Sequence, residues 1–230
     1  MSNIIAGAIE LEEAKEAKAK SFSVEDILKK IKEHTFGCVV AGGYCRDVFH
    51  GVAHKDIDIC MYNFHPNDAG EVVLANMLWK WLSTNVAAEN ITAGDGGDYD
   101  DKRIHFVWHL PYHNVDIICW NAHSHTKVLS GFDCNLNQFY LPSTVPDFDG
   151  EGEYEPNLKE QPVYFGDDCP DFLVFLKDLP GERIEKMKAK HKAFYPDAWT
   201  GLQEPVAYYE NLRECLIDDE LGSYSGDIPW

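Results

Sequence analysis

The chain has 230 residues, a formal charge of −19 and a sequence pI near 4.8. That length suits one domain, or one domain with a modest extension, and the charge excludes easy association with nucleic acid or anionic membranes unless a local basic patch overcomes it. Hydrophobic residues at 45% and charged residues at 26% exclude a disordered chain.

No run reaches the roughly 18 consecutive apolar residues of a membrane span, and the start carries neither a basic n-region nor an apolar h-region, so a cytoplasmic protein with no membrane partner is expected. The 7 cysteines form no C-x-x-C pair. Cys38, Cys60 and Cys119 sit inside apolar runs and read as reduced core thiols.

In chain order, residues 9–20 are a charged, Ala-rich helical stretch. SFSVEDILKKIKEH follows, with Ser23 as N-cap and Val24, Ile27, Leu28 and Ile31 at helical spacing. Residues 38–41 read as a short apolar strand ending at Gly42 and Gly43, and residues 46–50 suit a short helix. Residues 56–62 alternate acid and isoleucine before continuing apolar, which puts Asp56 and Asp58 on one face of a strand. Pro66 opens a helix running to about residue 85. The polar, glycine-rich stretch 93–101 is expected to be a mobile loop.

Residues 103–110 and 114–120 read as two strands joined by a tight turn containing Pro111. The Pro, Gly, Asp and Glu of 142–162 mark a linker or long loop. Gly181–Phe194 is the one locally basic helix, and 205–217 is the last expected helix. Trp79, Trp81, Trp108 and Trp120 read as core.

The chemistry concentrates in VVAGGYCRDVFHGVAHKDIDICMYN, residues 39–63. Asp56 and Asp58 beside apolar neighbours repel each other unless a cation sits between them, and a hard divalent ion such as Mg²⁺ prefers such oxygen ligands. Asp116, in VDIIC, offers a third carboxylate in the same apolar setting. Gly42 and Gly43 end a strand and let the backbone approach a ligand, while the following helix N-terminus turns amides toward an anion such as a triphosphate. Together these parts describe phosphoryl transfer with two Mg²⁺ ions, one activating an acceptor hydroxyl and the other holding pyrophosphate.

Taken without the glycines and Asp116, Asp56 and Asp58 also read as alternating acids on an exposed edge strand, and other residues leave two readings each. Arg46 and Asp47 are a structural ion pair stapling helix to sheet, or Arg46 contacts phosphate. Lys55 is a solvated charge leading the strand, or a nucleotide contact. The basic helix bearing Arg183, Lys186, Lys188, Lys190 and Lys192 is a solvated face, or else touches acceptor or phosphate. His123 and His125 lack a Cys or acid at zinc-ligand spacing, and His50, His54, His105, His109 and His113 read as core or surface residues.

The glycine pair, the acid-x-acid strand and the third acid resemble the nucleotidyltransferases of the DNA polymerase beta superfamily. More narrowly, GGYCRDVFHGVAHKDIDI is similar to the GGxxRDxxxGxxxKDIDI run of the tRNA nucleotidyltransferase (CCA-adding) and bacterial poly(A) polymerase branch, matching at Arg46, Asp47, Gly51 and Lys55 as well. The resemblance covers about residues 37–140, and FDCNLNQFYL is similar to that branch's Asp-Phe-Thr-Ile-Asn-Ala element.

This resemblance implies an α+β fold, with the small mixed or antiparallel sheet of the nucleotidyltransferase palm, flanking helices and a short helical C-terminal extension. It implies a palm domain with N-terminal helices over 1–145, and a linker with a small helical region over 146–230. The implied activity moves an NMP from an NTP to an acceptor hydroxyl. Asp56, Asp58 and Asp116 are then catalytic metal ligands, and Gly42, Gly43, Arg46 and Lys55 bind the nucleotide. An RNA 3′ end is the first acceptor considered; small-molecule or protein nucleotidylation and a catalytically idle nucleotide-binding regulator are the alternatives. The branch's long helical neck, body and tail have no room after residue 150, and its Glu-Asp-x-x-Arg motif has no clear match, so base choice and acceptor do not carry over.

Overall fold

The computed structural model describes residues 2–91, 101–150, 152–166 and 171–208. Helix α1 spans Ser2–Ala19 and α2 spans Val24–Glu33. The predicted cap of α2 is a full capping box: Ser23 Oγ accepts from the Asp26 amide at 3.1 Å while Asp26 accepts from the Ser23 amide at 2.8 Å. Ile27, Leu28 and Ile31 are fully buried, as their spacing requires.

The central sheet holds β1 (Gly37–Val40), β2 (Ile57–Tyr62), β3 (Glu89–Ile91), β4 (Ile104–Leu110) and β5 (Val115–Trp120) in the order β1-β2-β5-β4-β3. Only the β2–β5 pair among these runs parallel. Helices α3 (Gly43–Phe49), α4 (Ala69–Asn85), α5 (His125–Leu129) and α6 (Gly181–Phe194) flank it, and the fold is of the α+β class with a mixed sheet. Strand alternation sorts the core into two layers. Ile59, Met61, Trp108, Ile117 and Cys119 pack with α2 and α4, whereas Cys60, Tyr62, Ile118 and Trp120 pack with α5.

Several boundaries differ from the sequence reading for local reasons. Helix α4 begins at Ala69 rather than at Pro66, because Asp68 caps it by accepting from the amides of Gly70 and Glu71 at 2.8 and 3.1 Å. Helix α3 begins at Gly43, straight after the glycine turn, rather than at Arg46. Strand β2 begins at Ile57, so Asp56 stands just ahead of it, exposed. Trp108 and Trp120 are buried, while Trp79 and Trp81 are partly buried against the layer that holds Trp108.

The stretch 142–162 is tied to the sheet rather than running clear of it. Leu141 and Phe139 bond the outer edge of β1 and the Gly42 amide, and the Val40 amide donates to the Thr144 hydroxyl at 2.8 Å. The Tyr154 hydroxyl then donates to the Thr144 carbonyl at 2.7 Å. Strands β6 (Phe139–Tyr140) and β7 (Val163–Tyr164) pair beside it. An edge strand with unmet backbone groups is covered in this way.

The helix expected over 205–217 is corrected at its start: Val206–Ala207 forms a short strand, β9, parallel to β8 (Leu173–Val174), and the remainder lies outside the described residues. The expected loop 93–101 also lies outside them except for Asp101. Cys38, Cys45, Cys60, Cys119 and Cys134 are buried free thiols, while Cys169 and Cys215 lie outside the described residues. No described helix is long and apolar enough to cross a membrane.

Candidate active site

One row of residues crosses all five strands of the sheet. Ala41 continues β1 and donates to the Asp58 carbonyl; Asp58 pairs with Asp116 across β2–β5, Asp116 with His109 across β4–β5, and His109 with Glu89 across β3–β4. Partners in register point to the same face, so Asp58, Asp116 and His109 stand side by side on the α5 face. The two predicted acids of β2 and β5 are therefore brought together, and Asp56 adjoins them from the exposed approach to β2.

The glycine turn lies against this row. Gly42 has φ +88°, a conformation that side-chain-bearing residues rarely adopt, and a Cβ placed there would stand 3.5 Å from Asp58 Oδ2. Its amide donates to the Phe139 carbonyl at 2.8 Å, so what Gly42 contributes is a close backbone pass beside the carboxylate. Gly43 opens α3 with ordinary space around it: a Cβ placed there would stand 3.5 Å from Arg46 Nη2.

Burial, and after it the charges of Asp56 and Asp116, push the Asp58 carboxyl up to about 7, against the pull of Arg183 and Arg46. Asp116 is buried, and His109 Nδ1–H donates to its Oδ1 at 2.6 Å. Lys55 is exposed beside Asp56, and its carbonyl accepts from the Asn114 amide group.

Arg46 is 2% exposed and belongs to a chain of polar contacts joining α3 to α6. Its Nε and Nη2 donate to Asp47 Oδ1 at 2.8 and 2.7 Å, and its Nη1 donates to Asn137 Oδ1. Asn137 in turn donates to Asp133 at 2.7 Å, and Asp133 accepts from Arg183 Nε of α6 at 2.7 Å. Lys190, two turns further along α6, closes the circuit 3.7 Å from Asp47. Phe194 completes the contact, lying under the Arg46 guanidinium and stacked on His50 at 4.2 Å. Burial raises the Asp133 carboxyl, but Arg183, Asn137 and Lys177 outweigh that and hold it below the ordinary carboxylate range.

This circuit bears on two of the open sequence readings. Arg46 and Asp47 form the structural ion pair. The basic helix, expected first as a solvated face, instead turns Arg183 and Lys190 inward to Asp133 and Asp47 and pairs Lys188 with Glu204 at 2.8 Å. Asp133, Asn137 and His109 were not among the predicted site residues. For His109 a signal existed, since a turn centred on residues 112 and 113 makes 109 and 116 partners. His123 and His125 lie away from the acids, lining a cavity of about 410 Å³ with Asn63, Ser124, Asp147 and Asp149 at the far end of β2.

No family model matches the chain, and no curated protein matches it either. Among solved structures it is similar to a CCA-adding enzyme in an apo form, at 15% identity and a TM-score of 0.42, over 85% of this chain and 42% of that one. It is also similar to a CCA-adding enzyme in complex with CTP, at 19% identity and a TM-score of 0.36, over 55% of this chain and 28% of the other. A tRNA nucleotidyltransferase complexed with a primer tRNA and an incoming ATP analog is similar at 14% identity and a TM-score of 0.35, over 57% and 34%. The chain thus spans less than half the length of each of these structures.

Proposed function

We propose that the chain transfers a nucleoside monophosphate from an NTP to an acceptor hydroxyl and releases pyrophosphate. The observation that carries this reading is the facing of Asp58 and Asp116 across adjacent strands, with Asp56 just ahead of Asp58 and the Gly42 turn so close that a Cβ there would stand 3.5 Å from Asp58 Oδ2. Carboxylates held together on central strands are unfavourable until a cation joins them.

The donor set is all oxygen, which suits Mg²⁺. Among the described residues no three His, Cys, Asp or Glu side chains are grouped closely enough to hold a metal ion by themselves. An ion held by one or two carboxylates, with substrate phosphates and water completing its shell, is how Mg²⁺ is ordinarily bound in phosphoryl-transfer sites. Asp56, Asp58 and Asp116 would hold it, as a pair of ions in the two-metal form of this chemistry. When bound, it supplies charge neutralisation at the transferring phosphorus and a lowered hydroxyl pKa.

The chain's own residues then do the positioning. Gly42 opens room for a phosphate beside Asp58, and exposed Lys55 follows the triphosphate from the mouth of the site. The circuit from Arg46 to Arg183 holds the turn and α6 in place around it. The acceptor oxygen forms a bond to the α-phosphorus as the bond to the pyrophosphate oxygen breaks, and the hydroxyl proton leaves to solvent. Because Arg183, Lys188 and Lys190 of α6 are paired within the fold, the acceptors that fit are those needing no long phosphate track: a small-molecule hydroxyl or the terminal nucleotide of an RNA.

The test is transfer of label from each α-³²P NTP, with Mg²⁺, to total RNA, to a panel of small polyols and to protein, separated by gel and thin-layer chromatography. Labelled acceptor appearing only with Mg²⁺ is expected in at least one arm. No transfer from any NTP in any arm would overturn the proposal.

A further inference from the structure

We infer that His109 is a positioning residue for the acid site: its Nδ1–H fixes the Asp116 carboxylate so that Asp116 serves as a metal ligand, an inference that rests on the function proposed above. The hydrogen bond is 2.6 Å long and runs within the cross-strand pair His109 and Asp116, one strand further along the row that contains Asp58.

An aspartate's terminal torsion is broad and nearly two-fold, so a buried carboxylate with no directional donor can turn its oxygens either way. A donor on the β4 side ties one oxygen there and sets the plane of the group relative to β2. The burial of the two partners fits this division of labour. The Asp116 side chain is 11% exposed and the His109 side chain 32%, so the imidazole lies on the solvent side of the acid rather than serving as core filling. A ligating carboxylate is ordinarily oriented by such an outer donor, whose loss lowers metal affinity or activity by about 10- to 100-fold.

Asparagine carries an N–H at nearly the place of histidine Nδ1, while leucine keeps the bulk and removes the donor. The experiment therefore compares wild type, His109→Asn and His109→Leu, after thermal melts show that each is folded. The first readout is Mn²⁺ affinity by electron paramagnetic resonance of the free ion, which needs no turnover; the second is kcat and KM for pyrophosphate release from Mg-NTP. Expected is a loss of about 10- to 100-fold in Mn²⁺ affinity for His109→Leu, with the same direction in kcat, little change in KM, and near-wild-type behaviour for His109→Asn. A folded His109→Leu that binds Mn²⁺ like wild type overturns the inference, as does a folded His109→Asn as impaired as His109→Leu. Absence of turnover in wild type alongside the expected Mn²⁺ ranking would instead remove the proposed function and leave the positioning role standing.

Discussion

Replacing Arg46 by methionine separates the structural role of this side chain from contact with phosphate. The guanidinium is 2% exposed, makes two contacts below 3 Å with Asp47 and one with Asn137, and sits over Phe194 at 5.8 Å. Methionine fills similar space but strands the Asp47 carboxylate and the Asn137 carbonyl. Removing one partner of a buried pair costs about 3–5 kcal/mol, and because Lys190 remains 3.7 Å from Asp47 the lower end applies. At roughly 2–4 °C per kcal/mol for a chain of this size, about 3 kcal/mol corresponds to a fall in Tm of about 6–12 °C. Differential scanning calorimetry measures that fall, and calorimetric titration with Mg-NTP well below the lowered Tm measures binding, which should stay within a few fold. The double variant Arg46→Met, Asp47→Leu should lose less than the sum of its single variants, since it removes both members of the buried ion pair together. Unchanged stability with a tenfold or greater loss of nucleotide affinity would refute this reasoning and return Arg46 to the phosphates.

Gly42→Ala should cost about 1–3 kcal/mol in urea denaturation because of its φ of +88°, whereas Gly43→Ala should be neutral or stabilising by a few tenths of a kcal/mol; equal losses at both positions would contradict the turn geometry. Asp58 has a folded-state pKa of about 7, above its ordinary 3.8, so the folded chain holds a proton that the unfolded chain gives up, and stability falls as pH rises between those values. Asp58→Asn removes that dependence and should stabilise the metal-free protein at pH 8 by on the order of 1–4 kcal/mol while changing little at pH 4, after allowing for screening by water at this part-exposed group. Parallel wild-type and variant stability curves between pH 4 and 8 would contradict the crowding of the acids.

The parts of the fold legible in the sequence are those whose signals are local. The Ser23 box, the alternation that turns Asp58 to one face and its neighbours Ile57 and Ile59 to the other, and the turn at Pro111 each rest on residues a few positions apart. The parts that were not legible depend on distant partners. Arg46 meets Asn137 across 91 positions and Arg183 meets Asp133 across 50. A row of lysines and arginines looks the same in sequence whether solvated or paired, so the inward turn of α6 left no local trace. The stretch 142–162 has a loop composition and yet supplies Thr144 and Tyr154 to the edge of β1, because capping an edge strand asks for single hydrogen-bonding groups rather than a periodic pattern. His109 is intermediate, since its pairing with Asp116 follows from the hairpin register and its purpose only from the acid beside it.

The central claim is that Asp58 and Asp116 face each other as a site for phosphoryl transfer. Mg²⁺-dependent pyrophosphate release by wild type and by Asp116→Asn, at NTP concentrations that saturate both, tests it most directly. Wild type should release pyrophosphate, and Asp116→Asn should be slower by a factor on the order of 10² to 10⁴, with Mg-NTP affinity within a few fold because Asp58 and the phosphates still hold an ion. Turnover by Asp116→Asn at the wild-type rate would contradict the claim.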